Sequence, residues 1–208
     1  MTPPPLILLA SASPRRSELL RQVGIAHEVR PVEVDESSRP GEAPAEYVLR
    51  LAEEKARALW DSLPAPGRPP VLAADTTVAL EGEIFGKPGN RAESVAMLAR
   101  LSGRTHQVHT AVAVLHAGGS AARVSSSSVT MREITRAEMD WYSGTGEPAD
   151  KAGGYAVQGR AAIFIRHIAG SYSGVVGLPL CETWELLRGV PGLLFFVMVR
   201  RPPRWSST

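Results

Sequence analysis

Apolar positions along this chain recur with helical and strand periods in alternation. Leu6–Ala10 is a short apolar run that exits into a polar, turn-rich stretch, the pattern of a buried strand. Ser13 then stands where a helix N-cap would, with Pro14 at the first helical position and Gly24 beyond the end, so a helix is predicted over Arg15–Val23. Residues 25–34 read as a second strand, Pro31 marking an edge or a bend, and Asp35-Glu36 close it. Over Ala45–Leu59, the residues Val48, Leu51, Ala52, Ala56 and Leu59 share one helical face, and Lys55 lies beside that stripe rather than opposite it.

After the proline-rich connection 63–70, Val71–Ala74 is apolar, breaks into Asp75-Thr76-Thr77, and resumes as Val78–Leu80. Glu81-Gly82-Glu83 is a tight turn that returns the chain through Ile84-Phe85 to Lys87, so a strand, turn and strand are predicted with charged groups at the ends. Asn90 with Glu93, and Thr135 with Glu138, have the spacing of capping boxes; they open helices to Leu101 and through Tyr142. Residues 106–115 and 121–134 alternate around Ala-Gly-Gly-Ser and predict an antiparallel hairpin. The glycine-rich segment 143–160 has no period and is read as a functional loop. Ala161–Ile168 is predicted to be a strand, 171–179 an irregular loop and Leu180–Leu187 a helix. Intermixed helices and strands, with parallel and antiparallel connections both implied, give an α/β fold with a mixed sheet.

Composition narrows the function. The 208 residues, 44% hydrophobic and 21% charged, suit one soluble domain or two packed lobes sharing a core. A single cysteine, Cys181, excludes a disulfide framework; it lies in an apolar stretch and is expected in the core. No apolar run is long enough to span a bilayer, and the first residues carry their charge after the apolar stretch, the reverse of a secretory signal, so a cytoplasmic location is expected. Residues 189–208 hold three arginines and no acid, so the net charge of +2 leaves the rest of the chain at −1. A nearly neutral body lacks the basic face of a nucleic-acid binder. Only three of the 23 basic residues are lysines, Lys55, Lys87 and Lys151, and a point-like ammonium is not exchangeable with a guanidinium fork where one oxygen must be met by one charge.

Chemistry concentrates in a few places. Ser11, Ser13, Arg15 and Arg16 surround a helix N-terminus, where free N–H groups and the dipole favour an anion such as phosphate. Two arginines at the positive end of a helix are unfavourable unless an anion meets them. Asp75, read as terminating a strand of small apolar residues, suits a hard metal ion or a general base, and Asp35 and Glu36 offer a second carboxylate. Lys87 is placed to reach the same cleft across the hairpin. His106 and His109 fall on opposite strand faces, which argues against zinc. Asp75-Thr76-Thr77 lacks the second aspartate of a phosphoaspartate hydrolase loop.

In order and at natural spacing, ASASPRRSELL (10–20), VDE (34–36), YVLRLAEEKA (47–56), AADTTVALEGEIFGKP (73–88), MLARLSGRTHQVHTAVAV (97–114), GEPADKAGGYAVQG (146–159) and GSYSGVVGLPL (170–180) resemble the Maf family of nucleoside triphosphate pyrophosphatases. The resemblance implies a curved mixed sheet flanked by helices, with two lobes around a nucleotide cleft, and hydrolysis of the α–β phosphoanhydride of dTTP and UTP to monophosphate and pyrophosphate with Mg²⁺ or Mn²⁺. By position it makes Asp75 the proton acceptor and places Ser11, Arg16, Glu36, Lys55 and Lys87 around the phosphates, with Asp75 and Glu36 as candidate metal ligands. Arg15, Thr76 and Gln158 fall on the specificity positions of the pyrimidine subfamily, from which the group that prefers 7-methyl-GTP departs. Two alternatives stand beside it: the same reaction on another, modified nucleotide, and a non-catalytic regulator of septum formation, after which the family was named.

The domain implied covers residues 1–188. The segment 189–208 departs from the family's short polar end: Leu193–Val199 is apolar and three arginines follow. An added strand, a homodimer contact or a lipid-surface anchor are its candidate roles.

Overall fold

The computed structural model describes residues 7–193. Its centre is a seven-stranded mixed sheet in the order β2-β1-β3-β5-β6-β7, with β4 beside β3. The strands are β1 (Ile7–Leu9), β2 (His27–Val29), β3 (Val71–Leu80), β4 (Glu83–Phe85), β5 (Thr105–His116), β6 (Gly119–Met131) and β7 (Ile165–Ala169). β1 runs parallel to both β2 and β3; every other pairing is antiparallel. The helices are α1 (Pro14–Gln22), α2 (Pro44–Ser62), α3 (Arg91–Leu101), α4 (Arg136–Ser143), α5 (Tyr172–Val176) and α6 (Leu180–Arg188). The expected mixed α/β sheet flanked by helices is what forms. No helix among the described residues is long and apolar enough to cross a membrane.

Alternation along β3 and β5 assigns the faces. Leu72, Ala74, Val112 and Val114 turn toward Leu19 and Leu20 of α1 and Leu186 and Leu187 of α6. Val71, Ala73, Ala111 and Ala113 turn toward the apolar stripe of α2, Val48, Ala52, Ala56 and Leu59. Further along, Val78, Leu80 and Val108 pack with Leu98 and Leu101 of α3, Met139 and Tyr142 of α4, and Phe164. The long strands therefore pass from one helical cluster to another, and the site lies where the clusters part.

That place is marked by the pairing of β3. On one side β5 accompanies it throughout, from Val71 opposite Leu115 to Ala79 opposite Gln107. On the other side β1 pairs only at Val71 and Leu72, and β4 begins only at Val78. Between them, Ala73–Thr77 has no strand neighbour on that edge among the described residues, so the sheet opens at Asp75. Ligands bind α/β sheets at such crevices, where neighbouring strands diverge.

Several local expectations need correction. Strand β2 is only three residues long, well short of 25–34. Residues 160–164 form a 3-10 helix, and the strand starts at Ile165. The turn is fixed there because the Glu147 carboxylate accepts from Arg160 N at 3.0 Å and from Ala161 N at 3.4 Å. Within 171–179, residues Tyr172–Val176 are helical, capped by Ser171 Oγ, which accepts from Gly174 N. Cys181 is exposed rather than core: α6 buries Thr183, Leu186 and Leu187, and a residue two before Thr183 faces the far side. The Thr135–Glu138 capping box forms in full. At α3 only half of it does: Asn90 Oδ1 accepts from Glu93 N, but the Glu93 carboxylate turns to Gly89 N instead of Asn90 N. Ser13 occupies the α1 N-cap position, but its side chain makes no capping bond. Leu193 is buried against the α1–α6 cluster; the rest of the apolar run and its arginines lie outside the described residues.

Candidate functional site

The gap beside β3 opens into a cleft of about 650 Å³. Ser11, Arg15, Arg16, Glu36, Lys55, Asp75, Thr76, Lys87 and Gln158, all singled out from the sequence, line it; Asp35 does not. Strand alternation explains how Asp75 and its neighbour Thr76 serve different walls. Asp75 points to the α2 face, where Lys55 stands on the buried side of its helix. Thr76 points to the α1 face.

On the α2 face the groups are charged and paired. Lys55 Nζ donates to Asp75 Oδ1 at 2.6 Å and to Glu36 Oε1 at 2.5 Å. The side chains of Lys55 and Asp75 are nearly fully buried, at 9% and 10% exposure, so the ammonium is shielded and its charge is spent on the two carboxylates. Glu36 is half exposed and also meets Lys87 Nζ at 3.8 Å. Partial burial pushes the Glu36 carboxyl up, but the Lys55 hydrogen bond and the charges of Lys55, Lys87 and Arg16 outweigh it and hold the group below the usual carboxylate range. The loop carrying Glu36 is tied to α2 by Tyr47 Oη, which donates to the Glu36 carbonyl at 2.9 Å, and by Arg50, which reaches Ser37 O and Glu42. Burial, with the negative Asp75 and Glu36 nearby, pushes the Tyr47 phenol up to about 12. Asp35 turns away, accepting from Ser37 N, so the second carboxylate of the site is Glu36 alone.

On the α1 face one cation is held by neutral groups only. Arg16 donates from Nε to Gly177 O at 2.8 Å, from Nη1 to Ser11 Oγ at 2.9 Å and from Nη2 to Thr76 Oγ1 at 3.2 Å. Thr110 Oγ1 donates to Gly174 O at 2.8 Å and lies 3.0 Å from Thr76 Oγ1, which fixes Thr76 in turn. Burial lowers the Arg16 pKa and Arg15 adds to that, while Asp75 and Glu36 pull it back. A guanidinium with three oriented donors and no contacting carboxylate is a preformed anion site.

The third wall is the glycine-rich loop, which two 3-10 turns, Glu147–Asp150 and Ala152–Gly154, bring against β3. Gly153 has φ +68°, and a Cβ there would meet Val78 at 3.0 Å, so only glycine permits this approach. Tyr142 Oη donates to Glu147 Oε1 at 2.8 Å and accepts from Ala156 N at 3.2 Å. Tyr155 Oη and His106 Nε2 lie 2.7 Å apart in the core. Gln158 is exposed at the end of this loop and lines the cleft. Arg15 does not join Arg16; its Nη1 donates to Asp150 Oδ2 at 2.8 Å, and Lys151 pairs with the same carboxylate.

Tyr47, Glu147, Tyr142, Tyr155 and Asp150 had no signal of their own in the sequence beyond the scatter of charge in 146–151. The two histidines do lie on opposite faces, His106 buried and His109 bonded to Ser126 Oγ at 2.8 Å.

The Maf-like protein family matches residues 6–190. The chain belongs to it. A Bordetella avium protein named dTTP/UTP pyrophosphatase is 54% identical over 88% of this chain and 94% of its own length. Relatives of the same name from Nitrosomonas europaea and an Anaeromyxobacter species are 50% and 51% identical, over 87% and 88% of this chain and 92% and 88% of theirs. The solved Staphylococcus aureus Ham1 protein aligns over 62% of this chain and 72% of its own at 19% identity and a TM-score of 0.41, too distant to carry an argument.

Proposed function

We propose that this chain hydrolyses the bond between the α- and β-phosphates of dTTP and UTP, releasing the monophosphate and pyrophosphate. The observation that carries it is the facing of two differently held cations across Asp75. Lys55 is neutralised by Asp75 and Glu36, whereas Arg16, held only by neutral acceptors, awaits an anion. The names of relatives at about half identity over most of the chain support the reaction and the pyrimidine substrates.

In this reading the triphosphate lies between Arg16 and Lys87, whose side chain is 62% exposed and free to close on a phosphate oxygen. Lys55 occupies Asp75 Oδ1 and so orients the carboxylate, leaving Oδ2 for a water. As the water oxygen bonds to the α-phosphorus, its proton passes to Asp75 Oδ2. The bond from that phosphorus to the bridging oxygen breaks, and its electron pair leaves with pyrophosphate. The described residues hold no cluster of three acidic or histidine side chains that could hold a metal ion. A divalent cation here would have Asp75 and Glu36 alone, through oxygens Lys55 does not take, and would need substrate phosphates to complete its shell. Mg²⁺ or Mn²⁺ held there would supply charge neutralisation on the phosphates. Gln158, with a donor and an acceptor on one amide, reads the carbonyl and N3–H edge of uracil or thymine.

The test is pyrophosphate release from a panel of canonical, methylated and deoxy nucleoside triphosphates, with Mg²⁺, with Mn²⁺ and with chelator. Metal-dependent release confined to dTTP, UTP and close analogues is expected. Binding without release of pyrophosphate from any nucleotide would overturn the proposal and favour a regulator.

A further inference from the structure

Four side-chain cations besides Lys55 line the cleft, and they fall into two electrostatic classes. Arg16 touches no carboxylate, and Lys87 meets Glu36 only at 3.8 Å. Arg15 and Lys151 are both bound to one carboxylate, Asp150, which bridges the first turn of α1 to the glycine-rich loop. Lys151 is further fixed by donating to Glu147 O at 2.8 Å, and its side chain is only 14% exposed. Partial burial pushes the Asp150 carboxyl up, but the bonds from Lys151 and Arg15 outweigh it and hold it at about 2, so it is fully ionised at neutral pH.

A triphosphate entering this cleft meets free positive charge on one side and a carboxylate on the other. We infer that Asp150 is a positioning residue that sets the polarity of the bound nucleotide, occupying Arg15 and Lys151 so that the triphosphate settles only on Arg16 and Lys87 beside Asp75. The inference rests on the pyrophosphatase reading for its catalytic consequence, while the charge argument stands without it. Removing the Asp150 charge would free two cations on the wrong side of the cleft. Substrate would then also bind in an unproductive orientation, and unproductive binding lowers kcat and KM by the same factor while leaving kcat/KM unchanged.

The experiment compares the wild-type protein, Asp150→Asn, and Asp150→Asn with Lys151→Met. UTP turnover gives kcat and KM, and calorimetry gives the binding of inorganic tripolyphosphate. In Asp150→Asn, tripolyphosphate is expected to bind about tenfold tighter, the scale of one added charge-assisted contact. Its kcat and KM should fall together, and adding Lys151→Met should reverse both changes in part, since Arg15 stays released. A raised KM with a reduced kcat/KM, or unchanged tripolyphosphate binding, would make Asp150 a mere strut and overturn the inference. Because calorimetry needs no turnover, absence of pyrophosphatase activity in the wild type would sink the proposed reaction while leaving the charge effect measurable.

Discussion

The wall of the cleft built on β3 and α2 and the wall built by the glycine-rich loop hold their functional groups by opposite means. Asp75 and Lys55 sit in the middle of regular elements whose backbone is already satisfied, and what fixes them is their mutual charge. The loop has little regular structure, and neutral or singly charged groups hidden beneath it hold its course: Tyr142 under Ala156, Glu147 under Arg160, His106 against Tyr155. Charge can be changed on the first wall without moving the backbone. On the second wall the polar groups are themselves the scaffold, since a buried polar atom that loses its partner costs more than the bond was worth. Substitutions on the first wall should therefore remove chemistry and leave the fold, and those beneath the second should do the reverse.

The largest effect is expected at Asp75. Asp75→Asn keeps the shape and a hydrogen-bond acceptor for Lys55 but no longer takes a proton. Turnover of UTP should fall by at least ~100-fold, the usual scale of a general base, while urea unfolding stays cooperative and nucleotide binding survives. Activity within a few-fold of wild type would move the base to Glu36.

Next comes the pH dependence of stability, which belongs to the second wall. Burial pushes the His106 imidazole down to about 4, from an ordinary value of 6.5. The unfolded chain therefore takes up the proton first as pH falls. The stability that depends on a neutral His106 is full above 6.5 and declines by about 1.4 kcal/mol per pH unit, to a total of about 3 kcal/mol near pH 4. His109, half-buried, is lowered for the same reason, so the effect is read as a difference. Urea midpoints of the wild type and His106→Gln at pH 7, 5.5 and 4.5 should converge as the pH drops. Parallel curves would show that His106 is not the source.

A third change strikes the scaffold sterically. A Cβ on residue 159 would lie 2.4 Å from Glu147 Oε1. That carboxylate cannot swing aside without releasing Tyr142 Oη and the Arg160 and Ala161 amides. Gly159→Ala should cost about 2 kcal/mol of stability by urea unfolding. Unchanged stability would mean that the carboxylate does not hold the turn.

The same division explains what was legible in the sequence. Lys55 beside the α2 stripe and the Thr135–Glu138 capping box are local patterns, decided within a few residues, and each has its predicted place. Asp75, expected to end a strand, lies instead in the middle of the unbroken β3, because the polar Asp75-Thr76-Thr77 keeps its pairing with β5 and loses a neighbour only on the other edge. The pairing of Arg15 with Asp150 joins residues 135 apart, and no periodicity reports such a contact. Ala161-Ala162-Ile163-Phe164 is apolar and so predicts a strand, whereas the 3-10 conformation of 160–164 is imposed by a carboxylate thirteen residues upstream. Cys181 is exposed for a related reason: an apolar neighbourhood in sequence does not say which side of a helix faces the sheet.

The smallest effect is the sharpest test of the comparison. Gln158 lies on the scaffolded loop, yet it is exposed and makes no side-chain hydrogen bond among the described residues, so it contributes to neither the core nor the loop's course. Removing its amide should leave the unfolding midpoint within about 0.5 kcal/mol of wild type, as for a surface change away from packed or bonded groups. If it reads the base, its single pair of hydrogen bonds is worth about tenfold in selectivity. Competition assays on Gln158→Ala should then show the preference for UTP over CTP and GTP dropping by about that factor, with UTP turnover retained. A preference that does not move would return base selection to Arg15 and Thr76, and would leave the loop as a wall that shapes the cleft without reading what enters it.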